Sequence, residues 1–299
     1  MNKRKILTLT LSICMIAILA IGGSIAYLTD TDENDNVFTV GGVDIDQHEQ
    51  ERVFGEDGSY TKLQDFTQEQ VVLPGVYEDQ KTTSKEKVDV NGYEVGIRDK
   101  VDNYVDKIVS VENTGKSAAY VRTIIAVPVG QSELNKSEDN PNGLWVNPYG
   151  TGSGNESDNW LHYNLVSDGD TTPANGWYWG TYESRVEWTG GELYVVRNVE
   201  IDGTFYTLQV LTNVNPLPAG EFTGACMVGF YMDDDVDYDF DAKEYYIEAG
   251  GMKQYLGKLD NVEILVATQA VQADGFDDAW QAFNLSFEEI TATNHPWAD

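Results

Sequence analysis

Beyond residue 40 the chain alternates apolar and polar residues with a period of two, the mark of half-buried β-strands. From Tyr120 to Val129, the set Val121, Thr123, Ile125, Val127 interleaves with Tyr120, Arg122, Ile124, Ala126. In the preceding segment Val105, Val109 and Val111 share one face, and Asn113-Thr114-Gly115 supplies the turn between the two. Leu193 to Val199 and Thr204 to Leu211 flank Asp202-Gly203, a two-residue hairpin signal. Thr223 to Met232 is expected to place Cys226, Val228, Phe230 and Met232 on one side, and Val262 to Val271 reads as another long strand. Helical periodicity is scarce. Phe276, Trp280 and Phe283 mark one short C-terminal helix over Asp277 to Phe283, while Gly250-Gly251 interrupts Lys243 to Tyr255 and leaves it ambiguous. About ten strands with so little helix predict an all-β antiparallel sandwich.

Residues 131–190 differ. Asn, Gly, Ser and Asp crowd around Trp145, Tyr149, Trp160, Tyr163, Trp177, Tyr178, Trp179 and Trp188. A structureless loop of that length inside a domain would be unusual, so the stretch reads as an insertion with short strands of its own, at Gly176 to Tyr182 and Ser184 to Trp188. Trp177, Tyr178 and Trp179 are the aromatics expected to stack on glycan rings or a partner surface, or else to pack the insertion.

The N-terminus has a different character. Lys3, Arg4 and Lys5 precede an apolar run, Ile6 to Ile21, and small residues follow at Gly22, Gly23, Ser24 and Ala26. This is the pattern of an export signal over residues 1–26, with Ser24-Ile25-Ala26 as the small-x-small site and Tyr27 as the new N-terminus. Its apolar core sits at the short edge of the ~17–25 residues that span a bilayer, so membrane attachment is expected only before cleavage. Residues 27–299 then form a single domain, large enough to bury roughly 70–75% of its unfolded surface without staples.

Composition sharpens this. Of two cysteines, Cys14 lies in the leader, so the mature chain keeps only Cys226 and cannot form an internal disulfide. All 50 acidic residues but only 16 of the 19 basic ones lie beyond the leader, a mature charge of −34. Such a chain lacks the basic footprint of a nucleic-acid binder.

Sequence offers little for catalysis. A zincin needs two histidines one helical turn apart and a glutamate base. In His48-Glu49-Gln50-Glu51-Arg52 an arginine, which binds no zinc, occupies the second ligand position, and His162 and His295 stand alone. Cys226 lies in an apolar strand and reads as a small hydrophobe. In the acidic run, extended backbone would align Asp233, Asp235, Asp237, Asp239 and Asp241, hard oxygen ligands suited to Ca²⁺, the one cofactor considered. The same carboxylates also suit a solvated edge that resists strand pairing. Asp30, Asp32, Asn34 and Asn36 mimic the start of a calcium loop but lack its glycine and glutamate, and read as a linker.

Three stretches carry a resemblance. They are Gly22-Gly23 with Ala26-Tyr27-Leu28-Thr29-Asp30 and Val37-Phe38-Thr39-Val40-Gly41; Leu73-Pro74-Gly75 with Val105 to Gly115 and Ala119 to Arg122; and Val266 to Phe283. In these the chain resembles the TasA/camelysin family of secreted Gram-positive proteins. The resemblance implies cleavage by a SipW-type signal peptidase, a jelly-roll sandwich, and a biofilm-matrix or cell-surface role alongside other matrix proteins or glycans. It also implies that a freed N-terminal strand (Tyr27, Leu28, Val37, Phe38, Val40, Val43 and Ile45) inserts into the next subunit, building a head-to-tail fibre. The alternative is that this segment is the first strand of its own sandwich. Some family members are metalloendopeptidases, a second reading; a glycan- or surface-binding module is a third.

Overall fold

The computed structural model describes residues 37–40, 42–67, 71–73, 85–98, 103–131, 136–139, 141–143, 161–165, 177–179, 195–232, 236–256, 262–287 and 289–298. In chain order the strands are β1 Val37–Val40, β2 Ile45–Phe54, β3 Tyr60–Asp65, β4 Lys85–Val90, β5 Tyr93–Arg98, β6 Val105–Asn113, β7 Ala119–Pro128 and β8 Leu161–Leu165. They continue as β9 Trp177–Trp179, β10 Val195–Ile201, β11 Thr204–Asn213, β12 Met227–Met232, β13 Val236–Asp239, β14 Glu244–Ala249, β15 Met252–Tyr255 and β16 Leu265–Gln272, followed by helix α1, Ala279–Ser286.

The architecture is the expected all-β sandwich with one short helix. The first sheet runs β1-β16-β7-β11-β10, with β9 also on β11; the second runs β3-β2-β6-β12-β8. Inward residues of both, including Val105, Val109 and Val111 from β6 and Val121, Ile125 and Val127 from β7, form the central core. The chain passes from one sheet to the other between β1 and β2, between β6 and β7, between β7 and β8, between β8 and β9, and between β11 and β12. The Asn113-Thr114-Gly115 turn is therefore an arch between sheets rather than a hairpin within one.

Both outer faces are covered. On the second sheet, Val88, Val90, Val95 and Ile97 of the β4–β5 hairpin pack on Ile108, Ala225 and Val228. On the first, α1 sets Ala279, Ala282 and Phe283 against Tyr120 and Val271. Asp278 caps this helix, accepting from the Gln281 amide at 2.9 Å. Ile290 and Trp297 extend the cover over Ile124, Ala126 and Leu208.

Turn chemistry fixes the register. Asp202-Gly203 has φ of 49° and 81°, and Gly250-Gly251 has 61° and 78°. Two successive positive values suit the right-handed twist of a two-residue hairpin. Gly250-Gly251 thus joins β14 to β15 and resolves the ambiguity over Lys243 to Tyr255.

One expectation needs correction. Val228 does not share a side with Cys226, Phe230 and Met232. It packs in the outer cluster with Ala225, while the other three face the central core. Met227 faces the central core beside Cys226, and the bulge between Met227 and Gly229, which shifts the register against both β6 and β8, leaves Val228 turned outward before Phe230 returns to the core.

Candidate functional site

The segment expected to be donated falls into two parts. β1 lies at the end of the first sheet and pairs in parallel with β16, Val37 with Thr268, Phe38 with Gln269, Thr39 with Ala270 and Val40 with Val271. The other ladders of that sheet are antiparallel, and on its far side β16 makes eight pairs with β7, from Leu265–Ala126 to Gln272–Ala119. A four-residue parallel ladder at an edge is a short attachment; among the described residues only that of β9, three residues long, is shorter in this sheet. Among the described residues the other side of β1 has no strand partner.

Two residues later the chain is locked. Gly42 is exposed, its amide 3.3 Å from Gln272 Oε1. Val43 and Ile45 are 3% and 1% exposed and belong to the central core. Ile45 opens β2 opposite Asn113 in the second sheet. The arch clamps this entry: the Gly115 amide donates to Asp44 O at 2.9 Å, and a Cβ on Gly115 would stand 2.8 Å from Asp44 N. Fully buried Asn113 holds the arch, its Nδ2 donating to the Ser117 and Leu217 carbonyls at 2.8 Å each. Val43 and Ile45 are thus parts of the central core, while Val37, Phe38 and Val40 precede the clamp on β1. Tyr27 and Leu28, like Ser24 and Ala26 of the expected cleavage site, lie outside the described residues.

Of the acidic run, Asp233 and Asp235 lie outside the described residues. Val236 and Tyr238 are buried while Asp237 is exposed, as alternation requires, and β13 is an edge of a three-stranded sheet. Asp237 Oδ2 accepts from the Tyr246 hydroxyl at 2.9 Å. Asp241 stands exposed in the following turn and gives its amide to Asp239 Oδ1 at 3.1 Å. Asp239 takes four donors: the amides of Asp241 and Ala242, Lys253 Nζ at 2.7 Å and the Tyr255 hydroxyl at 2.9 Å. Among the described residues no group of three or more His, Cys, Asp or Glu is arranged to hold a metal ion.

The Lys253 ammonium, with the Ala242 amide and the Tyr255 hydroxyl, holds the Asp239 carboxyl well below the usual carboxylate range. A depressed carboxyl stabilises the fold above its unfolded value, near 3.9, and that contribution disappears only as pH falls through the lower folded value. In a carboxyl-detected NMR titration Asp239 is expected to titrate below the other surface aspartates. Lys253→Gln is expected to move it back toward them; an unchanged titration would show that Lys253 does not govern this group.

Trp177–Trp179 form β9, which pairs with Leu211, Thr212 and Asn213 of β11. They continue the row occupied by β10, which pairs with β11 from Thr204 to Gln209. The insertion also contributes β8, absent from the sequence expectation, to the second sheet; Ser184 to Trp188 lie outside the described residues. His48-Glu49-Gln50-Glu51-Arg52 lies within β2, so His48 and Arg52 are separated by about 13 Å of extended chain instead of one helical turn. His48 Nε2 meets Glu112 Oε2 at 3.3 Å, and Arg52 is bound to Asp106. His295 is buried in the C-terminal cover beside Trp297, and the side chain of His162 lies outside the described residues. Burial pushes the Cys226 thiol up to about 12, which makes it inert as a nucleophile.

No family model, curated protein or solved structure matched the chain. Among the described residues no helix is long and apolar enough to cross a membrane.

Proposed function

We propose that the chain is a secreted, non-enzymatic structural protein of the cell surface or extracellular matrix that assembles head to tail by lending β1 to the β16 edge of a neighbour. One observation carries this reading: a short edge strand, attached by a parallel four-residue ladder, stands immediately before a clamp that fixes the rest of the chain to the body. The same ladder made between molecules is β-augmentation, in which backbone bonds give affinity and alternate side chains set register. A donor and an acceptor on different parts of one subunit make a heterologous contact that does not close, and so a filament. Cleavage after Ala26 by a SipW-type signal peptidase would release the donor from the membrane. The mature charge of −34 would keep subunits apart at low ionic strength and make assembly rise with salt.

Cross-linking tests it. Gly42 is exposed and adjacent to Gln272, and native Cys226 is buried. Gly42→Cys and Gln272→Cys chains, mixed and mildly oxidised at raised salt, are expected to give linked dimers, and the double variant a ladder of multimers. Phe38→Asp is expected to raise the concentration needed for assembly by about tenfold or more, since ~1.4 kcal/mol lost at each contact is tenfold in affinity. A double variant that closes only on itself, with no dimers from the mixture across salt and pH, would sink the proposal.

A further inference from the structure

Lys107 breaks the apolar stripe of β6. It lies on the inward face with Val105, Val109 and Val111, and its side chain is 7% exposed. Its ammonium lies 4.6 Å from the centre of the Phe66 ring and is in direct contact with Glu49 Oε2 on neighbouring β2. Glu49 pairs with Val109 across the ladder, so Lys107 reaches it diagonally. One step past the Gln50–Ile108 pair, Glu51 comes level with Lys107; it is 5% exposed. Glu51 Oε1 accepts from Gln64 Nε2 at 2.7 Å and from Thr67 Oγ1 at 3.0 Å. The other oxygen of Glu49, Oε1, accepts from Gln47 Nε2 at 2.9 Å. Gln47 is itself held from across the sandwich, where Thr268 Oγ1 donates to its Oε1 at 2.7 Å.

The arrangement supplies each part of an amide-forming centre. There is a shielded amine nucleophile, a carboxyl carbon beside it, and a donor on the oxygen that will carry negative charge. The geometry points to an intramolecular isopeptide bond between Lys107 Nζ and Glu49 Cδ, tying β2 to β6. The ammonium first passes a proton to Glu49 Oε2, leaving an amine and a carboxylic acid. The nitrogen lone pair then bonds to Cδ, and the carbonyl electrons move to Oε1 under the Gln47 N–H. A proton passes from the nitrogen to Oε2, which leaves as water while the C=O re-forms. Ammonium plus carboxylate becomes amide plus water, and no oxidant or reductant is needed. Two charges are replaced by one neutral amide, which removes the desolvation cost of the ion pair. The bond staples adjacent strands in a chain whose one mature cysteine cannot form an internal disulfide.

Intact-mass spectrometry of the purified wild-type chain is the test, and it needs no variant to fold. The mass is expected to fall below the sequence value by one water, and digestion is expected to yield a branched peptide joining β2 to β6 with no tryptic cut after Lys107. Lys107→Met is expected to restore the full sequence mass. Glu49→Gln is expected to show a deficit of one ammonia instead of one water, because its leaving group is different. A wild-type chain at full mass after prolonged incubation, with normal cleavage after Lys107, overturns the proposal. So does a water deficit that persists in Lys107→Met.

Discussion

Asp106→Ala is expected to lower the unfolding free energy by about 3–5 kcal/mol, read as a drop in the urea midpoint at unchanged slope. Asp106 and Arg52 form a forked pair between β6 and β2: Nε to Oδ2 and Nη2 to Oδ1, both at 2.8 Å. The Arg52 backbone amide adds a third bond to Oδ2 at 2.9 Å. The side chains of Arg52 and Asp106 are 1% and 6% exposed, so solvent does not readily replace the lost carboxylate. Removing the carboxylate strips a buried guanidinium of two charge-assisted bonds and the Arg52 amide of a third, which costs far more than the intact pair contributes. The double change Arg52→Met with Asp106→Leu is accordingly expected to recover most of the loss, because apolar groups of similar volume avoid the charge burial. Against a typical total of about 5–15 kcal/mol, the single change approaches the threshold of folding. A midpoint shift equivalent to less than about 1 kcal/mol would place this pair with ordinary surface bridges.

The same pair shows what the sequence conveys and what it withholds. Period-two alternation and the Asp202-Gly203 turn make most strands legible, because strand and hairpin signals are local. Partners are not local. Arg52 spoils a zincin reading on sight, but nothing in the stretch says that its partner is Asp106, 54 positions on. Lys107 sits on the valine face of β6, and a charged residue in an apolar stripe is itself a signal of a buried partner. Glu49 and Glu51 become that environment only once β2 pairs with β6 in one particular register. The β4–β5 hairpin is absent from the expected strands although Val88, Val90, Val95 and Ile97 alternate around Asn91-Gly92; its place on the outer face of the second sheet is tertiary information.

The N-terminal segment divides for the same reason. Val37 to Ile45 reads as one strand-prone stretch, with Gly41-Gly42 the one local sign of a break between Val40 and Val43. The division comes from the Gly115 amide reaching Asp44, a contact between residues about seventy positions apart. It confines the proposed donor to the portion ahead of Gly42, with Val43 and Ile45 buried in the central core. Loss of assembly on changing Val43 or Ile45 would therefore reflect a damaged core, whereas loss on changing Phe38 tests the donor.

Gly229→Ala is expected to cost at least as much as common overpacking, about 1–3 kcal/mol, and Gly229→Val more. Gly229 lies in β12, past the bulge and opposite Asp106. A Cβ there would stand 2.6 Å from Val105 O and 2.6 Å from Cζ of Tyr104, well inside van der Waals contact. Tyr104 is a side chain and can turn away; the Val105 carbonyl belongs to the paired strand and can move only with β6. Tyr104→Ala introduced with Gly229→Ala is therefore expected to cost less than the sum of the two single changes, with a residual penalty from the backbone contact. Strict additivity in urea unfolding would mean that the ring is not the obstacle. The consequence reaches beyond one contact, because the bulge beside Gly229 sets the phase of β12, with Val228 under the outer hairpin and Phe230 and Met232 in the central core. A side chain that drives β12 off β6 disturbs both clusters at once, and with them the Asp106 register that holds Arg52.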